Sequence, residues 1–545
     1  TPTAGNATLV FGKVTGDFVN GESLLVNGFS RGVVNGNPYI IMAGKLIDTY
    51  TTSPVLRKVP TDKKFIIDGL SVKASGDVDS VVGSANRLPA FQLMGVYRPE
   101  VRNFTIESAW TRCWQLNSCW HGDINVHIKK LPNNANDSEG AYGYGVEIGG
   151  ATEGCIVTVS GGNCRHAFTT NVFWGGFSYM DPLLCGTVKY NTVHNSFIDG
   201  ALSASFDTHE GAYFTSFENC RSIGSRSGLR NTTASTGFQN RGFGTTYRNC
   251  YDRGSVVGFI EGGSYYESGF LHEINYDNCM SEEYQLSGFQ HASSSVSDNA
   301  RLSFDNCSAS GDGSPTNTPY YQVGFDLKNA ITTIRGCKSI KFNGAPFRFL
   351  VTGGRFNFID CFADYSDCPA YSSGLRFDGT PLEFNLHDYR VKPNLSVSSA
   401  PAGLLRVASG TVVVNVDGIS CVNTATPPPL AQITGGSITI NQRSLGNDVK
   451  PIGTNGNVSV TLTPRVSPPI QVWSSPLTAD RAVTLVTTAG TVINGDTFRI
   501  VRSAAATGAF KLNVGTGPLK ALDPGQWCEV TYNGTGWILT ASGSL

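Results

Sequence analysis

The chain has little charge, and the charge it has is balanced. Its 41 Lys and Arg stand against 42 Asp and Glu, a formal net charge of −1, and charged residues make up only 15% of the 545 positions. Neither half carries a basic tract, and Lys63-Lys64 and Lys129-Lys130 are isolated pairs. Electrostatic capture of nucleic acid or of an anionic membrane surface is therefore not indicated. No run of about 18 apolar residues occurs, so no membrane insertion is expected. Heptads and Ala/Leu/Glu/Lys-rich runs are absent as well, which argues against long helices. The cysteines show neither CxxC pairs nor a His/Cys pattern of zinc-finger spacing, so no metal and no cofactor is expected. The first residue is Thr1, with no charged-then-apolar leader after it; this reads as a signal peptide absent or removed, and as a trimmed fragment of a longer protein.

What the chain does have is glycine, aromatics and β-formers. With 63 Gly, 10% aromatic residues and many Val, Thr, Ser and Asn, the composition points to an all-β protein with tight turns. One phrase recurs six times: Phe217-Glu-Asn-Cys220, Tyr247-Arg-Asn-Cys250, Tyr276-Asp-Asn-Cys279, Phe304-Asp-Asn-Cys307, Ile334-Arg-Gly-Cys337 and Phe358-Ile-Asp-Cys361. Its cysteines step by 30, 29, 28, 30 and 24 residues, a period that marks stacked repeats. Most of the 14 cysteines thus sit at repeat positions and read as free, buried thiols, which suits folding in a reducing cytoplasm. Asn at a repeated corner tolerates a left-handed backbone and can stack its amide on the next.

A second phrase fills the intervals: Gly237-Phe238-Gln239, Gly258-Phe259-Ile260, Gly288-Phe289-Gln290, Gly324-Phe325-Asp326 and, more loosely, Pro346-Phe347-Arg348 and Gly374-Leu375-Arg376. Two strand phrases per period, each with an inward apolar residue, describe one turn of a parallel β-helix. Looser versions upstream extend the coil over residues 28–390, after a lead-in at 1–27. Beyond Val391 the text turns Ser/Val/Thr/Pro-rich, and 391–466 is expected to be a β-rich cap that also winds three chains into a trimer. Residues 467–545 alternate and carry the hairpin signal Asn533-Gly534, so a small antiparallel β-sandwich is expected there.

Taken in order, these features resemble a bacteriophage tailspike of the right-handed parallel β-helix class. The resemblance rests on the Tyr276-Asp-Asn-Cys279 repeats, on Cys164-Arg-His-Ala-Phe-Thr-Thr170 and Phe206-Asp-Thr-His209, and on the terminal Asn494-Gly-Asp-Thr-Phe498 and Gln526-Trp-Cys528. It implies a homotrimer on the virion tail, assembled in the host cytoplasm and acting outside the bacterium. It also implies attachment to the phage tail through an N-terminal domain not present in this sequence, and a capsular polysaccharide or O-antigen as partner. Related tailspikes include glycoside hydrolases and polysaccharide lyases, so both remain open, as does a receptor-binding spike without catalysis.

Superposing the second phrases places Glu147, His166, Asp207, Gln239, Ile260, Gln290, Asp326, Arg348 and Arg376 in one outward column. Around Asp207 it is dense in polar groups, with His209 two positions along, Gln239 one rung on and Arg241 diagonal to it. Glycoside hydrolysis needs two carboxyl groups; Asp207 with Glu210, Glu147 or Glu261 would supply them, with His209, Arg241, His166, Arg165 and Gln239 binding the sugar. A lyase would instead use His166 or His209 as base and Arg165 or Arg241 to neutralise a uronate. Trp174 is expected to stack on a sugar face.

Overall fold

The computed structural model describes residues 23–26, 29–33, 56–57, 65–73, 91–109, 112–131, 143–171, 187–201, 203–209, 211–224, 236–262, 272–291, 300–312, 322–328, 330–350, 353–368, 374–392, 404–421, 431–444, 453–464, 467–488, 492 and 494–545. The chain divides into two units, Thr1–Ser303 and Phe304–Leu545. All regular elements among the described residues are strands, and the fold is an all-β parallel β-helix.

In the first unit the second phrase and its upstream equivalents form one parallel ladder. Strands Phe91–Met94, Arg112–Asn117, Tyr144–Gly149, His166–Asn171, Ala204–Asp207, Thr236–Asn240, Val257–Glu261 and Ser287–His291 pair in that order. The Asn-Cys phrase turns the corner of a second ladder. Asn219, Asn249 and Asn278 lie between short parallel strands with φ of 54°, 51° and 52°, a conformation that Asn adopts more readily than most residues. Their amides form a chain: Asn219 Nδ2 donates to Asn195 at 3.2 Å, Asn249 to Asn219 at 3.1 Å and Asn278 to Asn249 at 2.8 Å. The neighbouring cysteines Cys220, Cys250 and Cys279 face inward and are buried as free thiols, as are Cys113, Cys119, Cys155 and Cys164.

Between the ladders lies an aromatic core. Phe206, Phe238, Phe259 and Phe289 stack with centroids 4.9, 4.6 and 4.8 Å apart. Phe217, Tyr247 and Tyr276 form a second stack at 5.1 and 4.9 Å, and the two stacks meet edge to face. A rung spacing of about 4.8 Å suits offset-stacked rings, so one Phe per turn builds a continuous column. The interior also carries a polar row, Ser222, Asp252 and Ser281, in register on consecutive turns. Asp252 is fully buried, accepts from Ser255 Oγ at 2.7 Å, and leaves no room for a Cβ at Gly237.

The second unit repeats the arrangement. Strands Val323–Lys328, Ala345–Leu350, Leu375–Asp378, Leu405–Ser409 and Ala431–Ile433 form one parallel ladder. Strands Arg355–Ile359, Glu383–Lys392, Thr411–Cys421 and Ser437–Ser444 belong to the other. Parallel pairing thus runs on to Ser444, past the expected end of the coil at Arg390. Alternating runs such as Thr411-Val-Val-Val-Asn-Val416 are further rungs, with Val412, Val414 and Val416 buried.

The C-terminal module has two sheets and a shared core that includes Trp473, Ile500, Leu512 and Val530. It differs from the antiparallel expectation in its first half. Gly453–Asn455, Ile470–Trp473 and Thr497–Arg502 pair in parallel in one sheet, and Val460–Leu462, Arg481–Leu485 and Leu512–Val514 in the other. The chain therefore alternates between sheets as a solenoid does. Only the last strands reverse: Lys520–Leu522, Gln526–Tyr532 and Trp537–Ser544 pair antiparallel, the final hairpin turning at Gly534 with φ of 93°.

Candidate functional site

Strand parity sets what each rung shows. Phe206 points into the core, so Asp207 points outward, in register with Gln239 on one side and Thr169 on the other. Glu147 follows Thr169 in the same register, two rungs from Asp207 as expected, and Ile260 and Gln290 continue the column past Gln239. In the second unit Asp326, Arg348 and Arg376 share a register. His166 does not belong to the column. It aligns with Tyr144, because Phe168, not His166, is the rung equivalent of Phe206.

The chain leaves the strand at Asp207 and is gripped at once. His209 N donates to Thr170 Oγ1 at 2.7 Å, and Arg241 N donates to Thr208 O at 3.1 Å. These bonds bring three side chains together. Arg241 Nη2 lies 2.6 Å from Asp207 Oδ2 and 2.7 Å from His209 Nε2, and His209 Nε2 is 2.9 Å from the same Oδ2. Thr169 Oγ1 adds a bond to Oδ2 at 3.2 Å, whereas Oδ1 is buried with no hydrogen-bond partner among the described residues. Asp207 is 0% exposed, but Arg241 and His209 keep 24% and 27% of their side-chain surface. The carboxylate is the hidden anchor, and the guanidinium and imidazole are what the surface presents.

Burial by itself would raise the Asp207 pKa, but the charges of His209 and Arg241 outweigh it and hold the carboxyl well below the usual range. Asp207 is thus ionised at neutral pH. It has the charge state of a base, nucleophile or counter-ion, not that of a general acid.

His166 is 4% exposed and donates from Nδ1 to Ala204 O at 2.7 Å. Burial drives its pKa down to about 4, against the pull of Asp207, so it is neutral at pH 7. Arg165 is partly exposed beside it. Glu147 is fully buried and accepts from Gln115 Nε2 at 3.4 Å, Gln115 itself accepting from Gln92 at 2.8 Å. Glu261 is 1% exposed and points the other way. It lies two residues after inward Phe259, so it faces inside and takes a 2.6 Å bond from Asn240 Nδ2. Glu261 is therefore no partner for a solvent-side carboxylate. Glu210 and Trp174 lie outside the described residues.

The pattern missed three supports. Thr169 occupies the column position assigned to His166, Thr170 holds the His209 backbone, and Asn240 ties Thr208 to the next rung. No group of three or more His, Cys, Asp or Glu residues is placed to hold a metal among the described residues, and no helix there is long and apolar enough to cross a membrane.

Two buried groups near this region titrate in opposite senses. Burial pushes the Asp252 carboxyl up to about 8, while an unfolded Asp titrates near ~3.9. The fold then keeps a proton that the unfolded chain releases, so stability falls as pH rises from about 4 to about 8. His166 is neutral in the fold down to about 4 but charged below ~6.5 when unfolded, so it makes stability fall as pH drops across that range. Between about 4 and 6.5 the two slopes cancel; between 6.5 and 8 only Asp252 acts, at a cost of about 2 kcal/mol. An Asp252→Asn variant is expected to lose this upper decline. Denaturant midpoints at pH 6.5 and 8 check it, and an equal decline in variant and wild type would refute it.

No protein-family model matches the chain. The chain is similar to a phage tailspike. That structure is a mutant of the tailspike protein of E. coli bacteriophage HK620, solved in complex with a pentasaccharide; it is 13% identical to this chain, with 83% of this chain and 73% of that one covered and a TM-score of 0.34.

Proposed function

We propose that this protein is a phage tailspike depolymerase, a homotrimer of the virion tail that binds and cleaves a capsular polysaccharide or O-antigen. The observation that supports the reading best is the Asp207–Arg241–His209 cluster. A buried, ionised carboxylate holds a guanidinium and an imidazole together at the surface of a rigid parallel ladder. Such fixed donors recognise sugar hydroxyls and carboxylates at little cost in ordering.

For hydrolysis, Asp207 would act as the base or nucleophile, and the acid would come from another carboxyl. Glu147 shares the column two rungs away, about 9.6 Å between backbones, near the wide end of the range for inverting enzymes. For β-elimination, Arg241 would neutralise a uronate and His209, in its neutral form, would take the proton. This second reading is favoured by the exposure of those two groups, while Asp207 and Glu147 are both buried. Digesting capsules and lipopolysaccharides from a serotype panel separates the two: hydrolysis adds one water per cut, and elimination adds none but creates near-ultraviolet absorbance. Intact polymer after prolonged incubation with every serotype would leave a binding spike without catalysis.

A further inference from the structure

The parallel ladder of the second unit carries a row of arginines. Arg348, Arg376 and Arg406 are in register on three consecutive rungs, which places their backbones about 4.8 Å apart. Two have carboxylates. Asp326, 2% exposed, takes both Nε and Nη2 of Arg348 at 2.8 and 2.6 Å, and Asp378 takes Nε of Arg376 at 2.9 Å. The third has none: among the described residues no carboxylate pairs with Arg406, and its Nε is buried without a hydrogen-bond partner. Among the described residues, three guanidiniums thus meet two carboxylates along this row, which leaves one positive charge. Arg348 and Arg376 still expose about a quarter of their side chains.

We propose that this row is an oxyanion subsite that binds the carboxylate or phosphate groups of an acidic polysaccharide, with Arg406 as its unneutralised donor. The inference rests on the reading above that the chain meets a glycan, and it adds the chemical class: an anionic polymer rather than a neutral one. Guanidinium forks suit planar oxyanions better than lone hydroxyls. An anion at Arg406 also relieves the repulsion along the row.

Calorimetric titration of the full chain tests this with three probes: oligogalacturonate, the same oligosaccharide with its carboxyls reduced to alcohols, and inorganic phosphate. The expected result is that oligogalacturonate binds roughly tenfold or more tightly than its reduced form and weakens with added salt. Arg406→Gln should remove that preference, and Arg406→Lys, which keeps the charge, should restore part of it. Binding of phosphate without uronate, again lost in Arg406→Gln, would assign the subsite to phosphate-bearing polymers. Equal binding of charged and reduced oligosaccharide without phosphate binding, or indifference to Arg406→Gln in a chain with wild-type melting, overturns the proposal. Cleavage assayed in parallel keeps the two readings apart. Cutting of a neutral polysaccharide without oxyanion binding sinks only this subsite, and Arg406-dependent oxyanion binding without any cutting sinks only the depolymerase.

Discussion

Replacing Arg241 with methionine is expected to destabilise the chain by about 3 kcal/mol at pH 7 and to abolish binding of the polysaccharide. The variant strands a fully buried, ionised Asp207 with only His209 and Thr169 to balance it. Removing one partner of a buried pair typically costs about 3–5 kcal/mol, and the partial exposure of Arg241 places this case at the low end. Removing both charges, Asp207→Asn with Arg241→Met, should recover much of the stability but none of the binding. Urea unfolding with glycan titration separates these effects. The pH dependence follows from the same pair. Because the folded Asp207 pKa is depressed, the stabilisation is complete above the unfolded value near ~3.9 and is lost as pH falls below it. The double variant should lack that acid loss, and its persistence there would show that other groups cause it.

The second large effect is expected in the aromatic column. Phe238 is fully buried, stacked on Phe206 at 4.9 Å and on Phe259 at 4.6 Å, and set edge-on to Tyr247 at 5.7 Å. Phe238→Ala removes the contact between successive rungs and leaves a cavity, a change worth about 3–5 kcal/mol. By contrast Phe197, 43% exposed, should tolerate alanine within about 0.5 kcal/mol. Denaturant midpoints of the two variants would test this, and similar shifts would mean that the stack is not what holds neighbouring turns together.

These contrasts show how far the fold could be read in advance. The Asn-Cys phrase was legible because two hard constraints coincide in it: a left-handed corner and a small inward side chain. Both recur once per turn. The outward column was legible where a phenylalanine gave the phase, as at Phe206, Phe238, Phe259 and Phe289. It failed at His166 because Cys164-Arg-His-Ala-Phe-Thr-Thr170 contains its own phase marker, Phe168, which points to Thr169 instead. Glu261 failed for the same reason, since counting two from Phe259 already turns it inward. Parallel pairing past Arg390 was not legible because Val412, Val414 and Val416 take inward positions that Phe takes upstream, changing the composition while keeping the period of two. Burial of Glu147 and Asp207 was not legible, because alternation tells which side of a sheet a residue takes and not what covers that side. Neither was the parallel first half of the terminal module, whose alternating strands read the same in either pairing.

We propose above that the Asp207–Arg241–His209 surface belongs to a protein that cuts a bacterial surface polysaccharide. The most direct measurement is the mass of products released from matched capsule or lipopolysaccharide by wild type and by Arg241→Lys, which retains the charge opposite Asp207 and so keeps the fold. Discrete oligosaccharides are expected from the wild type, with a loss of roughly a hundredfold or more in their rate of release with the lysine variant. Release at the wild-type rate by a folded Arg241→Lys chain would contradict the proposal.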